Sequence, residues 1–369
     1  QNYSSKTSHS VDTGCMAHSD EFIGWPTLLA HILDRRDLDA AQAESAITQI
    51  LNGNATPSQM TAFVVAMRAK GETIQELEGM LHAVRSAGMK VHLSAELASR
   101  AIDIVGTGGD KSNTVNVSTM SALVVAAAGV PVCKHGNRAA SSKCGAADLL
   151  EAAGVAIELD PQGVEASIAA TGFGFCLAAH FHPAFRYTGP SRREIGVPTV
   201  FNLLGPMANP APISNMLVGV AMPNMMAAMT GALSTRGVTS AWVVHGHGGL
   251  DELAVSGPNT VFELKDGTVT QFEINAKEFG IASSTLEDVR GGDAAENLAI
   301  MKDLFAGKTG AVRDIVTFNA GCALYVSGVA VDVMDGIERA RASIDSGSAA
   351  EVLRGVAEES SRQLARMGF

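Results

Sequence analysis

Along the first hundred residues, apolar positions recur at the three- and four-residue spacing of amphipathic helices. Leu28, Leu29, Ile32 and Leu33 fall on this period, which would set them on one stripe of a helix. Thr56-Pro57-Ser58-Gln59 adds a start signal: a threonine N-cap, a proline at the first helical position and a glutamine placed for a capping box. Thr73-Ile74-Gln75-Glu76 repeats the signal, with Gly71 closing the helix before it. Residues 23–95 therefore read as a small all-helical domain, with part of 185–210 expected to pack on it. Residues 1–22 are rich in Ser, Thr, His and Asp and show no helical period. They read as a disordered extension, with Met16 a candidate natural start, and they lack the apolar stretch of a secretory signal.

From Ala101 the pattern changes to short apolar runs alternating with helical stretches. Strands are expected at Ala101–Val105, Val130–Cys133, Val155–Leu159, Phe175–Ala178, Met216–Met222 and Ala241–His245. Helices are expected at Ser118–Ala128, Ala146–Ala153 and Met225–Leu233. That order predicts βαβ units and a mainly parallel sheet flanked by helices. Val261–Leu264 and Val269–Phe272 flank Asp266-Gly267, which predicts an antiparallel hairpin. The chain returns to helix from about Ile315. The fold class is α/β: a helical N-terminal domain followed by an α/β domain over 96–369.

Composition narrows the function. A net charge of −11 opposes nucleic acid as a partner, because phosphate-backbone binders need a basic face. It leaves room for a small polyanion, since a local cluster of cations and N–H groups can reverse the sign inside a cleft. Five scattered cysteines without a C-x-x-C pair read as reduced thiols of a cytoplasmic protein. No apolar run is long enough to cross a membrane.

The unusual residues fall at the ends of predicted strands, where open parallel sheets bind ligands. Gly106-Thr107-Gly108-Gly109-Asp110 follows the first strand and leads to Asn116-Val117-Ser118-Thr119 at a helix start. Such glycines let backbone N–H groups approach a phosphate. Lys134-His135-Gly136-Asn137-Arg138-Ala139-Ala140-Ser141-Ser142 places two cations, an amide and two hydroxyls within nine residues, a cradle for a polyanion. His135 alone reads equally as a structural histidine. Asp251-Glu252, in a glycine-rich loop with His245 and His247, suits Mg²⁺ beside a pyrophosphate. The two histidines lack a third ligand at transition-metal spacing. Arg192, beside Tyr187 and His182, is the candidate fork for a carboxylate, although an arginine pair also serves surface salt bridges. Taken singly, each motif has a plain structural account as a turn, a cap or a solvated loop.

Together, G-T-G-G-D, N-x-S-T, K-H-G-N-R-x-x-S-S, H-P-A, R-R-x-x-G, F-N-x-L-G-P and D-E, spread from Gly106 to Glu252, resemble the anthranilate phosphoribosyltransferase family. Gly291-Gly292-Asp293 extends the resemblance. It implies transfer of the phosphoribosyl group of phosphoribosyl pyrophosphate (PRPP) to anthranilate, with Mg²⁺ as cofactor, a nucleoside phosphorylase/phosphoribosyltransferase-like fold and a homodimer through the helical domain. By the same resemblance Gly106, Gly109, Asp110, Thr114, Asn116, Ser118, Thr119, the loop from Lys134 to Ser142 and Ala146 line the PRPP site. Ser118, Asp251 and Glu252 hold metal; Gly106, Asn137 and Arg192 contact anthranilate, with His135, His182 and Tyr187 nearby. Ala179 and Val197-Pro198 depart from the family pattern beside the acceptor pocket. The rival enzyme reading is a pyrimidine-nucleoside phosphorylase, which uses phosphate as nucleophile. The rival of another class is a non-catalytic paralogue that binds nucleic acid or a regulated partner.

Overall fold

The computed structural model describes residues 22–139 and 142–368. The expected extension up to residue 21, the cradle residues Ala140 and Ser141, and Phe369 lie outside the described residues.

Four helices come first: α1 (Trp25–Leu33), α2 (Ala40–Leu51), α3 (Pro57–Lys70) and α4 (Ile74–Ala87). Both expected capping boxes form. Thr56 Oγ1 accepts from the Gln59 N–H (3.2 Å) while Gln59 Oε1 accepts from the Thr56 N–H (2.9 Å); Thr73 and Glu76 do the same. Each such cap stabilises its helix by about 1 kcal/mol. A third, Asp39 with Gln42, starts α2. Trp25, Leu28 and Ile32 turn into the core, whereas Leu33 points outward, 73% exposed. Helices α2 and α4 cross so closely that a Cβ on Gly79 would stand 1.9 Å from the Ala40 carbonyl oxygen. Only glycine fits there.

Beyond α5 (Ala95–Arg100) the chain builds its sheet in the order β1 (Ile102–Gly106), α6 (Val117–Ala127), β2 (Val132–Gly136), α7 (Ala146–Ala152), α8 (Pro161–Thr171) and β3 (Phe173–Leu177). The short α9 (Ala178–Phe181), α10 (Gly189–Ile195) and α11 (Val200–Met207) lead to β4 (Asn215–Gly219), α12 (Met226–Thr235), β5 (Ser240–His245), β6 (Pro258–Lys265) and β7 (Thr268–Asn275). Four helices close the chain: α13 (Ala294–Phe305), α14 (Ala311–Val326), α15 (Val333–Asp345) and α16 (Ser348–Arg366). The strand order is β3-β2-β1-β4-β5-β6-β7. The first five strands run parallel, and β6 and β7 add antiparallel. Asp266 (φ 48°) and Gly267 (φ 80°) both take the left-handed conformation that a tight hairpin demands.

Three expectations need correction. Val155–Leu159 alternates buried and less buried residues as a strand would, yet it pairs with none. Its side chains divide: Val155 and Ile157 enter the core on one face of the sheet and Leu159 enters the other. The Ala156 N–H donates to Ser360 Oγ on α16 (2.9 Å) instead of to a neighbouring strand. Second, β2 extends through Lys134, His135 and Gly136, past its apolar run, because those polar residues find partners inside the fold. Third, helix returns at Ala294, well before Ile315.

Strand alternation feeds two cores. Ile102, Ile104, Leu217, Trp242 and Val244 face α6 and the four C-terminal helices. Cys133, Cys176, Met216, Val218, Ala241 and Val243 face the other way, into the cluster that also holds Leu28, Phe63 and Leu77 of the first four helices. Phe201, Leu204 and Met207 of α11 complete that second core. The helical bundle is therefore seated on one face of the sheet through continuous apolar packing, the main stabilising term of the fold. No helix among the described residues is long and apolar enough to cross a membrane.

Candidate active site

The order of the strands locates the site. After β1 the chain moves to β2 and β3 on one side, then returns to place β4 and β5 on the other. The switch point lies between β1 and β4, where open α/β sheets bind ligands beyond the carboxyl ends of their strands. Gly106 ends β1 and Gly219 ends β4, and they pair in register. The acidic loop is pressed onto both. A Cβ on Gly106 would lie 2.4 Å from Asp251 Oδ2, and one on Gly219 would lie 1.6 Å from the Asp251 carbonyl oxygen.

Around this point the sequence motifs assemble. The Gly108 N–H donates to Asp251 Oδ2 (2.6 Å), and the Ser118 N–H, in the first turn of α6, donates to Glu252 Oε1 (3.0 Å). The amides that would meet an anion are thus turned to the acidic pair. Asp110 is near enough to act on both acids. Burial and the Asp110 charge push Asp251 up to about 7; burial, then Asp251 and Asp110, push Glu252 well above the usual carboxylate range. Carboxylates forced together in this way favour a bound cation. Among the described residues no three His, Cys, Asp or Glu side chains are already gathered to hold a metal. Mg²⁺ commonly binds to one or two carboxylates and completes its shell with water and substrate phosphate, so the donor set fits a cation delivered with a diphosphate. His245 and His247 are engaged elsewhere, with the Val220 carbonyl (2.7 Å) and Ser256 Oγ (2.9 Å).

The cations of the cradle are held by their own chain. Lys134, 1% exposed, donates from Nζ to the Ile104 carbonyl (2.5 Å) and to Ser118 Oγ (3.3 Å); burial lowers its pKa. Arg138 forks onto Glu151 (2.7 and 3.0 Å) and reaches Asp148 (3.3 Å); the Glu151 bond raises its pKa. Asp148 also accepts from the Ala139 N–H (2.9 Å), which folds the cradle back on α7. Asn137 bonds within the loop, to the Arg138 N–H (2.9 Å), and its carbonyl accepts from the Ala147 N–H (3.2 Å) beside Ala146. Ser142 Oγ donates to the Cys144 carbonyl (3.3 Å). Gly136 packs against Phe175 and Ala146 so closely that a Cβ would meet them at 2.9 and 3.2 Å.

The residues expected on the acceptor side form a separate group. His135 and His182 meet edge to face, ring centres 5.2 Å apart. Bonds to main-chain carbonyls fix their tautomers: His135 Nδ1–H donates to Gly205 (3.1 Å) and His182 Nε2–H to Ala208 (3.0 Å). Burial lowers the pKa of both, to about 4 for His182. Each therefore keeps one bare, unpartnered nitrogen, Nε2 of His135 and Nδ1 of His182. Arg192 sits over the Phe201 ring (5.6 Å), with a pKa lowered by burial. Tyr187 stands apart, 43% exposed, with its hydroxyl accepting from Arg186 (2.9 Å) and its ring over Gly53 of the helical bundle. Pro198 packs near Gly109, 3.9 Å from where a Cβ would stand, so the Val197-Pro198 departure borders the glycine loop.

Sequence reasoning missed three buried polar residues. Asp103, fully buried on β1, accepts from the His135 N–H (3.2 Å) and from Asn209 Nδ2 (2.8 Å); burial pushes it up to about 6. Asn209 also donates to the Cys133 carbonyl (2.7 Å) and accepts from the Ala211 N–H (2.9 Å). A charged residue between Ile102 and Ile104 was a visible signal for the first. Asn209 and Asn297 offered none.

A helical bundle seated on a sheet whose switch point carries an acidic, amide-lined cleft belongs to the glycosyl transferases. Residues 98–350 match the a/b domain of the glycosyl transferase family, and residues 26–88 match its helical bundle domain. The anthranilate phosphoribosyltransferase of Rhodococcus jostii (strain RHA1) is 47% identical over 340 residues, 90% of this chain and 92% of that protein. The crystal structure of the Thermus thermophilus anthranilate phosphoribosyltransferase superposes with a TM-score of 0.84 at 38% identity, covering 90% of this chain and 99% of that one. The Saccharomyces cerevisiae enzyme in complex with PRPP and Mg gives 0.84 at 26% identity, covering 92% and 98%. This chain belongs to the anthranilate phosphoribosyltransferase family.

Proposed function

We infer that this chain transfers the phosphoribosyl group of PRPP to the amine of anthranilate, giving N-(5-phosphoribosyl)anthranilate and pyrophosphate in tryptophan biosynthesis. The observation that carries the reading is the acidic pair Asp251-Glu252 held over the β1/β4 switch point by the Gly108 and Ser118 N–H groups. Ser118, Asp251 and Glu252 would hold Mg²⁺, which supplies positive charge against a leaving diphosphate. With Asp251 and Glu252 turned to a cation, the Gly108 N–H of the glycine loop and the Ser118 N–H of the α6 N-terminus would be free to donate to phosphate oxygens. Lys134, poised between Ile104 and Ser118, adds a fixed positive charge from beneath.

The reaction is displacement at C1 of the ribose through an oxocarbenium-like transition state, with inversion. The aromatic amine is neutral at pH 7, so the protein mainly orients it. Arg192 receives the anthranilate carboxylate, and Gly106, Asn137 and the bare Nε2 of His135 offer contacts at the ring and amine, with His182 and Tyr187 nearby. No residue is assigned as catalytic base.

We place the enzyme in the cytoplasm, as a homodimer through the helical domain. Cys133, Cys144, Cys176 and Cys322 are free thiols, which supports a reducing compartment. Leu33 on α1 and Val65 on α3 leave apolar side chains exposed, 73% and 44%, on helices a second copy could cover. The deciding assay follows loss of anthranilate fluorescence with PRPP and Mg²⁺. Turnover that stops on chelation supports the reading; phosphorolysis of thymidine with no anthranilate consumption sinks it.

A further inference from the structure

The Gly291-Gly292-Asp293 stretch has no part in the site so far, yet it is bonded directly to the donor loop. The Val115 N–H donates to the Val289 carbonyl (3.0 Å) and the Gly291 N–H to the Asn113 carbonyl (2.8 Å). Thr114 pairs antiparallel with Arg290 between them. Residues 289–291 thus lie as a strap along 113–115. The strap needs its glycines: a Cβ on Gly291 would stand 2.8 Å from both Asn297 Oδ1 and the Thr114 carbonyl oxygen.

Asp293 then caps α13, in a reciprocal box with Glu296, and the first turn of that helix delivers Asn297 to the loop. Asn297 is 1% exposed. Its Oδ1 accepts from the Gly292 N–H (2.8 Å), and its Nδ2 donates to Asn116 Oδ1 (2.9 Å). Asn116 Nδ2 in turn donates to the Cys144 carbonyl (3.1 Å). The Asn297 and Asn116 amides in series therefore join three segments far apart in sequence: the strap, the start of α6 and the end of the Lys134–Ala146 loop.

The consequence lies at Asn116. An asparagine at an N-cap normally accepts an N–H from the first turn of its own helix. Asn116 makes no such bond, because both ends of its amide are engaged elsewhere. The Ser118 N–H is left free to meet Glu252.

We propose that Asn297 is a positioning residue for the PRPP site: it holds the Asn116 amide away from the α6 N-terminus and so keeps that turn open to the diphosphate. The inference rests on the donor assignment above. Without Asn297 the Asn116 side chain turns back to cap its own helix, closing the Ser118 N–H, the one first-turn donor not already bonded to neighbouring main chain.

Two variants of the full chain test this. Asn297→Asp keeps the acceptor for Gly292 and removes the donor to Asn116; Asn297→Leu removes both. The expected result for Asn297→Asp is a KM for PRPP raised about tenfold (~1.4 kcal/mol), with a larger rise for Asn297→Leu. The KM for anthranilate and kcat at saturating PRPP stay within about twofold of the parent, since only donor binding is touched. Two results overturn the proposal: a folded Asn297→Asp variant with the parent's KM for PRPP, or both KM values and kcat worsening together in step with the thermal midpoint. Should Asn297→Leu fail to fold, Asn297→Asp decides alone. An inactive parent overturns the donor assignment itself; an active parent with an indifferent variant overturns only the latch.

Discussion

The two halves of the cleft are built differently. On the donor side, segments distant in sequence are stitched together: Gly108 to Asp251, Ser118 to Glu252, Val115 to Val289 and Asn116 to both Cys144 and Asn297. On the acceptor side, His135 and His182 each use one nitrogen and leave the other bare, Arg192 rests over an aromatic ring, and Tyr187 is exposed. The difference fits the chemistry proposed for each half. Gathering a diphosphate against carboxylates requires donors fixed in advance, because reorganising them during reaction is costly. A flat, weakly polar acceptor needs mostly shape and one strong ion pair.

Removing the acids should break the donor half most severely. Asp251→Asn with Glu252→Gln is expected to lower kcat/KM for PRPP roughly 10³-fold, the scale of lost charge stabilisation, and to flatten the Mg²⁺ titration. A parent-like Mg²⁺ titration places the metal elsewhere.

Asp103 lies beneath both halves, bonded to the His135 N–H and to Asn209. Its folded pKa of about 6 exceeds the ordinary value of 3.8, so the folded state holds the proton more tightly. The favourable contribution is full below about pH 4 and is lost as pH rises through about 6. That difference amounts to at most about 3 kcal/mol. Denaturant melts from pH 4 to 7 should show Asp103→Asn declining less than the parent, by the Asp103 share; equal declines in parent and variant assign that share to another group.

The acceptor half should respond more narrowly. Arg192→Ala is expected to raise the KM for anthranilate about thirtyfold, near 2 kcal/mol for a charged hydrogen bond, with the KM for PRPP unchanged. A rise confined to PRPP would move Arg192 to the donor side. Tyr187→Phe should change either KM by less than about twofold, as its hydroxyl meets only Arg186 at the surface. A large effect would bring Tyr187 into the pocket.

The signals read correctly from sequence were local. Capping boxes at Thr56 and Thr73, the Asp266-Gly267 turn and the glycine run after β1 all act within a few residues of themselves. Val155–Leu159 misled because its alternation reflects two cores, one on each face of the sheet, with no strand beside it. Lys134 and Arg138 were legible as cations but not as cations already engaged, since Ile104, Ser118 and Glu151 reach them only through the fold. Asp103, Asn209 and Asn297 take their meaning from partners roughly thirty to nearly two hundred positions away. No periodicity or motif marks such pairs.

The strap sets an order on the protein's birth. The glycine run, the cradle and the acids have all left the ribosome once β7 has emerged, but residues 289–297 follow later. A nascent chain at that stage carries the glycine run, the cradle and the acids without the clasp that draws the first two together. PRPP can therefore offer little help to folding until α13 emerges, and a truncation after the β6–β7 hairpin should retain the motifs while losing the grip.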